Sequence, residues 1–151
     1  MLAKALSNEY EFSFVTMSCA DILSKYQGES EKNGREAFNT ARSSQPCILF
    51  IDEIDALCSK RHDDNSGSLN SIVNTFLMEI DGIDSHKNTQ LLIIGATNFI
   101  EKIDKAISRS GRLGRHIEVN IPKSPQQRFS VLMAASKMER IRNFGLALWM
   151  R

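Results

Sequence analysis

Apolar positions recur along this chain in three rhythms, and each rhythm predicts a different element. Leu69, Ile72, Val73, Phe76, Leu77 and Ile80 fall three or four residues apart in one continuous stripe, the mark of a helix with one buried face. Gly82 stands just past that stripe, where a left-handed cap would end the helix. "CILFI" (47–51) and "QLLIIGATN" (90–98) instead carry unbroken apolar runs, the second ending in small and polar residues. Such runs fit strands of a parallel sheet covered on both faces. "FSFVTMSC" (12–19) and "HIEVNI" (116–121) alternate between apolar and polar residues and predict two further strands.

Weaker signals fill the intervals. Leu2, Ala3 and Leu6 have helical spacing, with Asn8 as a stop. Residues 30–43 predict a helix capped by Ser30, with Glu31 at its positive end and Phe38 and Ala41 facing inward. Gly34 inside that helix costs about 1 kcal/mol relative to alanine. "RHDDNSGS" (61–68) reads as a polar loop, and residues 104–108 as a short helical segment. Ser124 followed by Pro125 is a cap and a first-turn proline, opening a helix with Phe129, Leu132 and Met133 inward. Strands alternating with helices, without internal repeats, predict an open α/β sheet.

In such sheets ligands bind beyond the carboxyl ends of the strands. The two apolar strands deliver Asp52 and Glu53 from one and Asn98 from the other to that edge. Three readings of the carboxylates compete. They are the first solvated residues after a buried strand, or a phospho-acceptor site, or a Walker B pair. A phospho-acceptor site needs further acids and a lysine at later strand ends, where this chain offers Thr97, Asn98, Pro122 and Lys123. A Walker B pair uses the Asp to hold Mg²⁺ through water and the adjacent Glu to activate the attacking water. Magnesium keeps most of its waters, so one fixed carboxylate beside the phosphates suffices.

Composition trims the alternatives. Among 151 residues, Lys and Arg number 19 and Asp and Glu 18, a formal charge of +1. That balance gives no electrostatic reason to expect nucleic acid or a membrane surface as the main partner. Cys19, Cys47 and Cys58 are odd in number and lack C-x-x-C spacing, which argues against a disulfide framework and a zinc site. His62, His86 and His116 are scattered singly, without metal-ligand spacing. Asn8 and Glu9 interrupt the apolar stretch that a secretory signal needs, and the tail at 144–150 is too short to span a bilayer. The expected setting is intracellular, the cytoplasm before the nucleus.

Four segments in order resemble the ATPase module of the AAA family, in the branch that includes katanin, spastin and the N-ethylmaleimide-sensitive fusion protein. "LSKYQGESEKNGREAF" (23–38) is similar to that family's first pore loop and following helix, and "ILFIDEIDAL" (48–57) to its Walker B. "IIGATN" (93–98) is similar to its sensor-1 strand, and "SRSGRLGRHIEV" (108–119) to its region with two arginine fingers. The resemblance implies a P-loop NTPase-like parallel sheet flanked by helices over residues 1–121, with residues 122–151 as the start of a helical lid and an atypical tail. It implies ATP and Mg²⁺ as cofactors, with Asp52 on the metal, Glu53 polarising the hydrolytic water, and Asn98 orienting that water or touching the γ-phosphate. Arg112 and Arg115 would reach a neighbouring subunit's site. Tyr26 would grip a protein substrate in the pore of a ring, expected to be a homo- or hetero-hexamer that remodels or unfolds proteins. Without the resemblance, the arginines read as a solvated turn and Tyr26 as a ring packed on the next helix.

Departures from the family pattern shape the expectations. The phosphate cradle G-x-x-x-x-G-K-[ST], which in relatives directly precedes the stretch similar to "MLAKAL", is not among these residues, and neither is the strand before it. The isolated chain is therefore expected to be poorly stable and to bind ATP without useful affinity. Gly114 stands where the family usually has Asp and Leu113 where Phe is usual, departures that bear on Arg115 more than on Arg112. Gly34 replaces an apolar residue, and Ser71 lies where arginine is frequent. "ERIRNFGLALWMR" (139–151) does not continue the lid pattern, as expected of an incomplete gene model. The competing function is a non-catalytic subunit or fragment, acting only as an arginine donor or interaction partner.

Overall fold

The computed structural model describes residues 2–24, 27–57, 67–84 and 89–138. The chain divides into two compact units, Met1–His116 and Ile117–Arg151.

In the first unit, α1 (Leu2–Glu9) leads into β1 (Ser13–Ser18), α2 (Cys19–Ser24), α3 (Gln27–Ser43) and β2 (Cys47–Asp52). A 3-10 turn over Ile54–Leu57, α4 (Gly67–Asp84) and β3 (Leu91–Gly95) follow. The strands form one parallel sheet in the order β1-β2-β3, pairing Ser18 with Asp52 and Ile51 with Gly95. Parallel neighbours need crossovers, and α2 with α3, then α4, supply them. The sequence rhythm of alternating strands and helices thus becomes a parallel α/β sheet, as expected.

One face of the sheet carries the main core. Val15, Met17, Cys47, Leu49, Ile51, Leu91 and Ile93 point to it and meet Ile22, Phe38, Ala41, Ile72, Val73, Phe76 and Ile80 of the helices. Phe38 of α3 and Phe76 of α4 meet edge to face, with ring centroids 5.4 Å apart, a geometry worth about 0.5–1.5 kcal/mol beyond the area buried. Gly34 sits opposite Phe76, where an added Cβ would lie 3.6 Å from the ring, so it is buried without being sterically required. Arg42 fastens the same helices, pairing with the Glu79 carboxylate at 2.6 Å and donating to the Glu79 carbonyl at 3.1 Å. Ser71 donates to Glu31 at 2.6 Å, joining α4 to α3. On the other face, Phe14 and Phe50 stack at 6.1 Å, and α1 lies against β1 and β2.

Several elements differ from the sequence expectation. α3 starts three residues earlier than Ser30, and α2 carries no helical signature long enough to have been read. Gly82 does not cap α4: the helix continues to Asp84 because Ile83, three residues after Ile80, still packs on the core. Residues 104–108 form a hydrogen-bonded turn rather than a helix, closed by Ile107 and Ser108 N–H groups on the Asp104 carbonyl. β3, read as covered on both faces, leaves Leu92 43% exposed.

"HIEVNI" is not a strand. Among the described residues nothing pairs with it, and an isolated extended segment has no ladder to hold it. Ile117, Val119 and Ile121 are all exposed.

The second unit contains α5 (Pro125–Met138). Ser124 accepts from the Gln127 N–H at 3.1 Å, and the Gln127 side chain accepts from the Ser124 N–H at 3.2 Å, a reciprocal capping box. The expected inward stripe of α5 is not buried, because no described element of its unit covers Phe129, Leu132 and Met133.

Candidate functional site

The candidate site lies along the carboxyl edge of the sheet. β2 is buried from Cys47 to Ile51 apart from a partly exposed Phe50, then releases Asp52 and Glu53 to solvent. The turn that does this is fixed by backbone bonds to the next strand. The Ala96 N–H donates to the Ile51 carbonyl at 2.8 Å and the Ile54 N–H donates to the Ala96 carbonyl at 3.1 Å. Beyond the turn, Ile54 and Leu57 are buried and anchor it from below. Glu53, caught between these anchors, takes a left-handed backbone conformation with φ of 52°. A non-glycine residue pays about 1–3 kcal/mol for that, and such strain persists where the surrounding structure imposes it.

Each carboxylate is then oriented. Asp52 Oδ1 accepts from the Glu53 N–H at 2.9 Å, and no other described residue hydrogen-bonds to its carboxylate. The Ser18 hydroxyl, at the end of β1, donates to Glu53 Oε2 at 3.4 Å and accepts from the Asp21 N–H at 3.3 Å. Asp55 accepts from the Thr97 hydroxyl at 2.7 Å, and that hydroxyl accepts from the Phe99 N–H at 2.9 Å. This relay shapes the bend that carries Asn98, which is exposed and makes no hydrogen bond to another described residue. Ser18, Asp52 and Glu53 thus meet at two paired strand ends, and Asn98 follows the adjoining end of β3 by three residues.

The donor set fits a weakly coordinated hard cation better than a metal cage. Among the described residues no three His, Cys, Asp or Glu side chains cluster as metal ligands. A single exposed carboxylate with free oxygen positions matches what Mg²⁺ requires when waters and phosphates complete its shell. Burial pushes the Cys47 thiol above its ordinary pKa, so it stays protonated and inert.

The expected arginine loop follows a separate logic. The Asp104 carboxylate accepts from the Ala106 N–H at 2.7 Å, Ile107 is buried, and the Leu113 N–H returns to the Ile107 carbonyl at 3.1 Å. Gly111 has φ of 85°, in the left-handed region where a side chain would be strained. Arg112 turns toward α4. Its Nε and Nη2 donate to the two oxygens of Asp81, each at 2.6 Å, and Nη1 donates to the Ala106 carbonyl at 2.6 Å. These bonds hold the Asp81 carboxyl below its ordinary pKa and raise that of Arg112. Arg115 is exposed and makes no hydrogen bond or ion pair with a described residue. Tyr26 and Lys25, the expected pore-loop residues, lie outside the described residues.

Sequence reading missed Ser18 and Asp81, and placed Thr97 at its strand end without a role. Ser18 could have been found as a polar residue at the strand end beside Asp52. Asp81 gave only the signal of an acid in the last turn of a helix, where acids are disfavoured by the helix dipole unless paired.

Comparison with known proteins adds the family. The model of the ATPase family associated with various cellular activities (AAA) matches residues 1–121. The chain is 39% identical over 137 residues to the nuclear valosin-containing protein-like protein of Mus musculus, covering 91% of this chain and 16% of that protein. It is 39% identical over 127 residues to the ribosome biogenesis ATPase RIX7 of Saccharomyces cerevisiae, covering 84% of this chain and 15% of the relative. To the peroxisomal ATPase PEX6 of Dictyostelium discoideum it is 37% identical over 149 residues, 97% of this chain and 12% of the relative. The chain therefore spans only a small part of the length of the curated relatives it matches. These matches establish the family rather than the branch suggested by the motifs. Among the described residues no helix is long and apolar enough to cross a membrane.

Proposed function

The chain belongs to the AAA family of ATPases, and from that premise we propose that it carries the hydrolytic edge of a Mg-dependent ATPase that remodels or unfolds proteins in a ring. The observation that supports this most is the placement of Asp52 and Glu53 at the end of a buried parallel strand, with Glu53 held by a turn bonded to the end of β3, the strand that leads to Asn98. In this reading the open face of Asp52 takes Mg²⁺, which neutralises charge on the phosphates of bound ATP. Glu53 accepts the proton of the attacking water, and Ser18 keeps its carboxylate aimed. Asn98 donates to that water or to the γ-phosphate from a bend set by Asp55 and Thr97.

The remaining parts serve the assembly. By the family resemblance, residues 108–115 serve a neighbouring subunit's nucleotide site, with the exposed Arg115 free to reach it and Arg112 bonded to Asp81 within its own subunit, and Tyr26 contacts the protein substrate. The assembly is a homo- or hetero-oligomer, of six subunits by family resemblance, in an intracellular setting.

The phosphate cradle G-x-x-x-x-G-K-[ST] is not among these 151 residues. To test the reading, a strand and loop of that pattern are joined ahead of Met1 and turnover is measured against Mg²⁺ concentration. Magnesium-dependent hydrolysis that is lost in Asp52→Asn supports it; magnesium-dependent hydrolysis unaffected by that substitution contradicts it.

A further inference from the structure

Past their last paired positions β2 and β3 part, one into the 3-10 turn over Ile54–Leu57 and the other into the bend at 96–99. We infer that Asp55 is a positioning residue that ties this bend to that turn: through the Thr97 hydroxyl, its carboxylate fixes the backbone that presents Asn98. The catalytic consequence rests on the role proposed above for Asn98, whereas the tie itself stands on geometry.

Backbone bonds make the first links between the two chains. The Ala96 N–H donates to the Ile51 carbonyl at 2.8 Å and the Ala96 carbonyl accepts from the Ile54 N–H at 3.1 Å, so one residue grips both sides of Asp52 and Glu53. The next link is made by side chains, the Thr97 hydroxyl donating to Asp55 Oδ1 at 2.7 Å. Asp55 is a firm post for it. It stands inside the 3-10 turn, which is closed by the Ala56 N–H on the Glu53 carbonyl at 2.9 Å and pinned by the buried Ile54 and Leu57. Asp55 and Thr97 are both partly buried, whereas Asn98 and Phe99 are exposed. The bond is thus sheltered from the water that would compete for it at the surface.

The hydroxyl makes the link directional. A carboxylate only accepts, so the Thr97 hydrogen points to Asp55 and the oxygen lone pairs are left for the Phe99 N–H at 2.9 Å. Asn98 lies between these two bonded residues. Phe99 is held from its far side as well, with the Lys102 ammonium 3.7 Å from its ring centroid and the Lys102 N–H donating to its carbonyl at 3.0 Å. Without Asp55 the hydroxyl is free to rotate, and the bend loses its fixed reference to the Glu53 turn.

The test has two arms. In hydrogen exchange on the 151-residue chain, Asp55→Ala speeds exchange of the Phe99 N–H by at least about threefold, and Thr97→Val does at least as much. Thr97→Ser, which keeps the hydroxyl, stays near the parent rate. The Ala96 N–H, bonded to Ile51, keeps its parent rate in all of these variants and reports an intact sheet. An unchanged Phe99 rate in Asp55→Ala overturns the tie. Equal acceleration at Ala96 and Phe99 also overturns it, since Asp55 would then support the whole sheet edge. In the second arm the strand and phosphate loop of the preceding test are joined ahead of Met1 and turnover is measured. Asp55→Ala lowers kcat by about tenfold or more with KM for ATP unchanged, and Thr97→Ser retains the parent kcat. Asp55→Ala combined with Asn98→Ala is no slower than Asn98→Ala alone, as expected of a residue that acts through Asn98. A raised KM with kcat unchanged, or losses that multiply, overturn the positioning role. Parent-level turnover in Asn98→Ala refutes the role proposed for Asn98 itself, while hydrogen exchange still decides the tie.

Discussion

β2 and β3 are written in nearly the same apolar alphabet, CILFID and LLIIG, yet they end up in different environments. β2 lies between two strands with helices on both faces, and Cys47, Ile48, Leu49 and Ile51 are fully buried. β3 pairs on one side only among the described strands, and the face it shares with Ile48 and Phe50 leaves Leu92 open. The side chains do not encode this difference; position in the sheet does. It also separates two ways of holding a functional residue. Glu53 after β2 is held by buried anchors, whereas the loop beyond β3 is held by ion pairing and close backbone approach.

Substitutions that probe this contrast should rank accordingly in urea denaturation of the chain. Leu49→Ala empties a fully buried site between helices and sheet, and should cost about 2–5 kcal/mol. Gly95→Ala should cost about 1–3 kcal/mol, since the new methyl meets Leu113 at 3.1 Å and Ile54 at 3.2 Å. Thr97→Val keeps the shape and removes the donor to Asp55, for a loss of about 0.5–1.5 kcal/mol. Leu92→Ser, on the open face of β3, should stay within about 0.5 kcal/mol of the parent. A cost at Leu92 comparable to that at Leu49 would erase the distinction between the strands.

Charge, unlike burial, responds to acid. Because Asp81 has its pKa lowered in the folded state, its contribution is complete above the unfolded-state pKa and disappears as pH falls through the folded-state value. The stability gap between the parent and Asp81→Asn should therefore be level near neutrality and close in strong acid, while the Leu49→Ala gap should not change in parallel with it.

Much of this was legible in the chain because burial imposes a rhythm. The α4 stripe and the unbroken run of β2 marked their elements, and carboxylates straight after a buried strand marked the edge where chemistry belongs. What stayed hidden depends on partners far apart in sequence. Alternation in "HIEVNI" gives the period of a strand, but a strand also needs a neighbour. The exposed stripe of α5 has the right spacing and no described cover. Arg112 reads as an outward arginine until Asp81, 31 positions earlier, is found against it. Even the glycine at 114, a departure when read as a motif, has its reason only in the carbonyl of Arg109.

The most direct test of the central claim separates binding from hydrolysis at Glu53. With a strand and phosphate loop of the pattern G-x-x-x-x-G-K-[ST] joined ahead of Met1, Glu53→Gln should bind ATP as tightly as the parent so extended while turnover falls by roughly 10²–10⁴. An unchanged rate in that variant would contradict the assignment of Glu53 as the group that activates water.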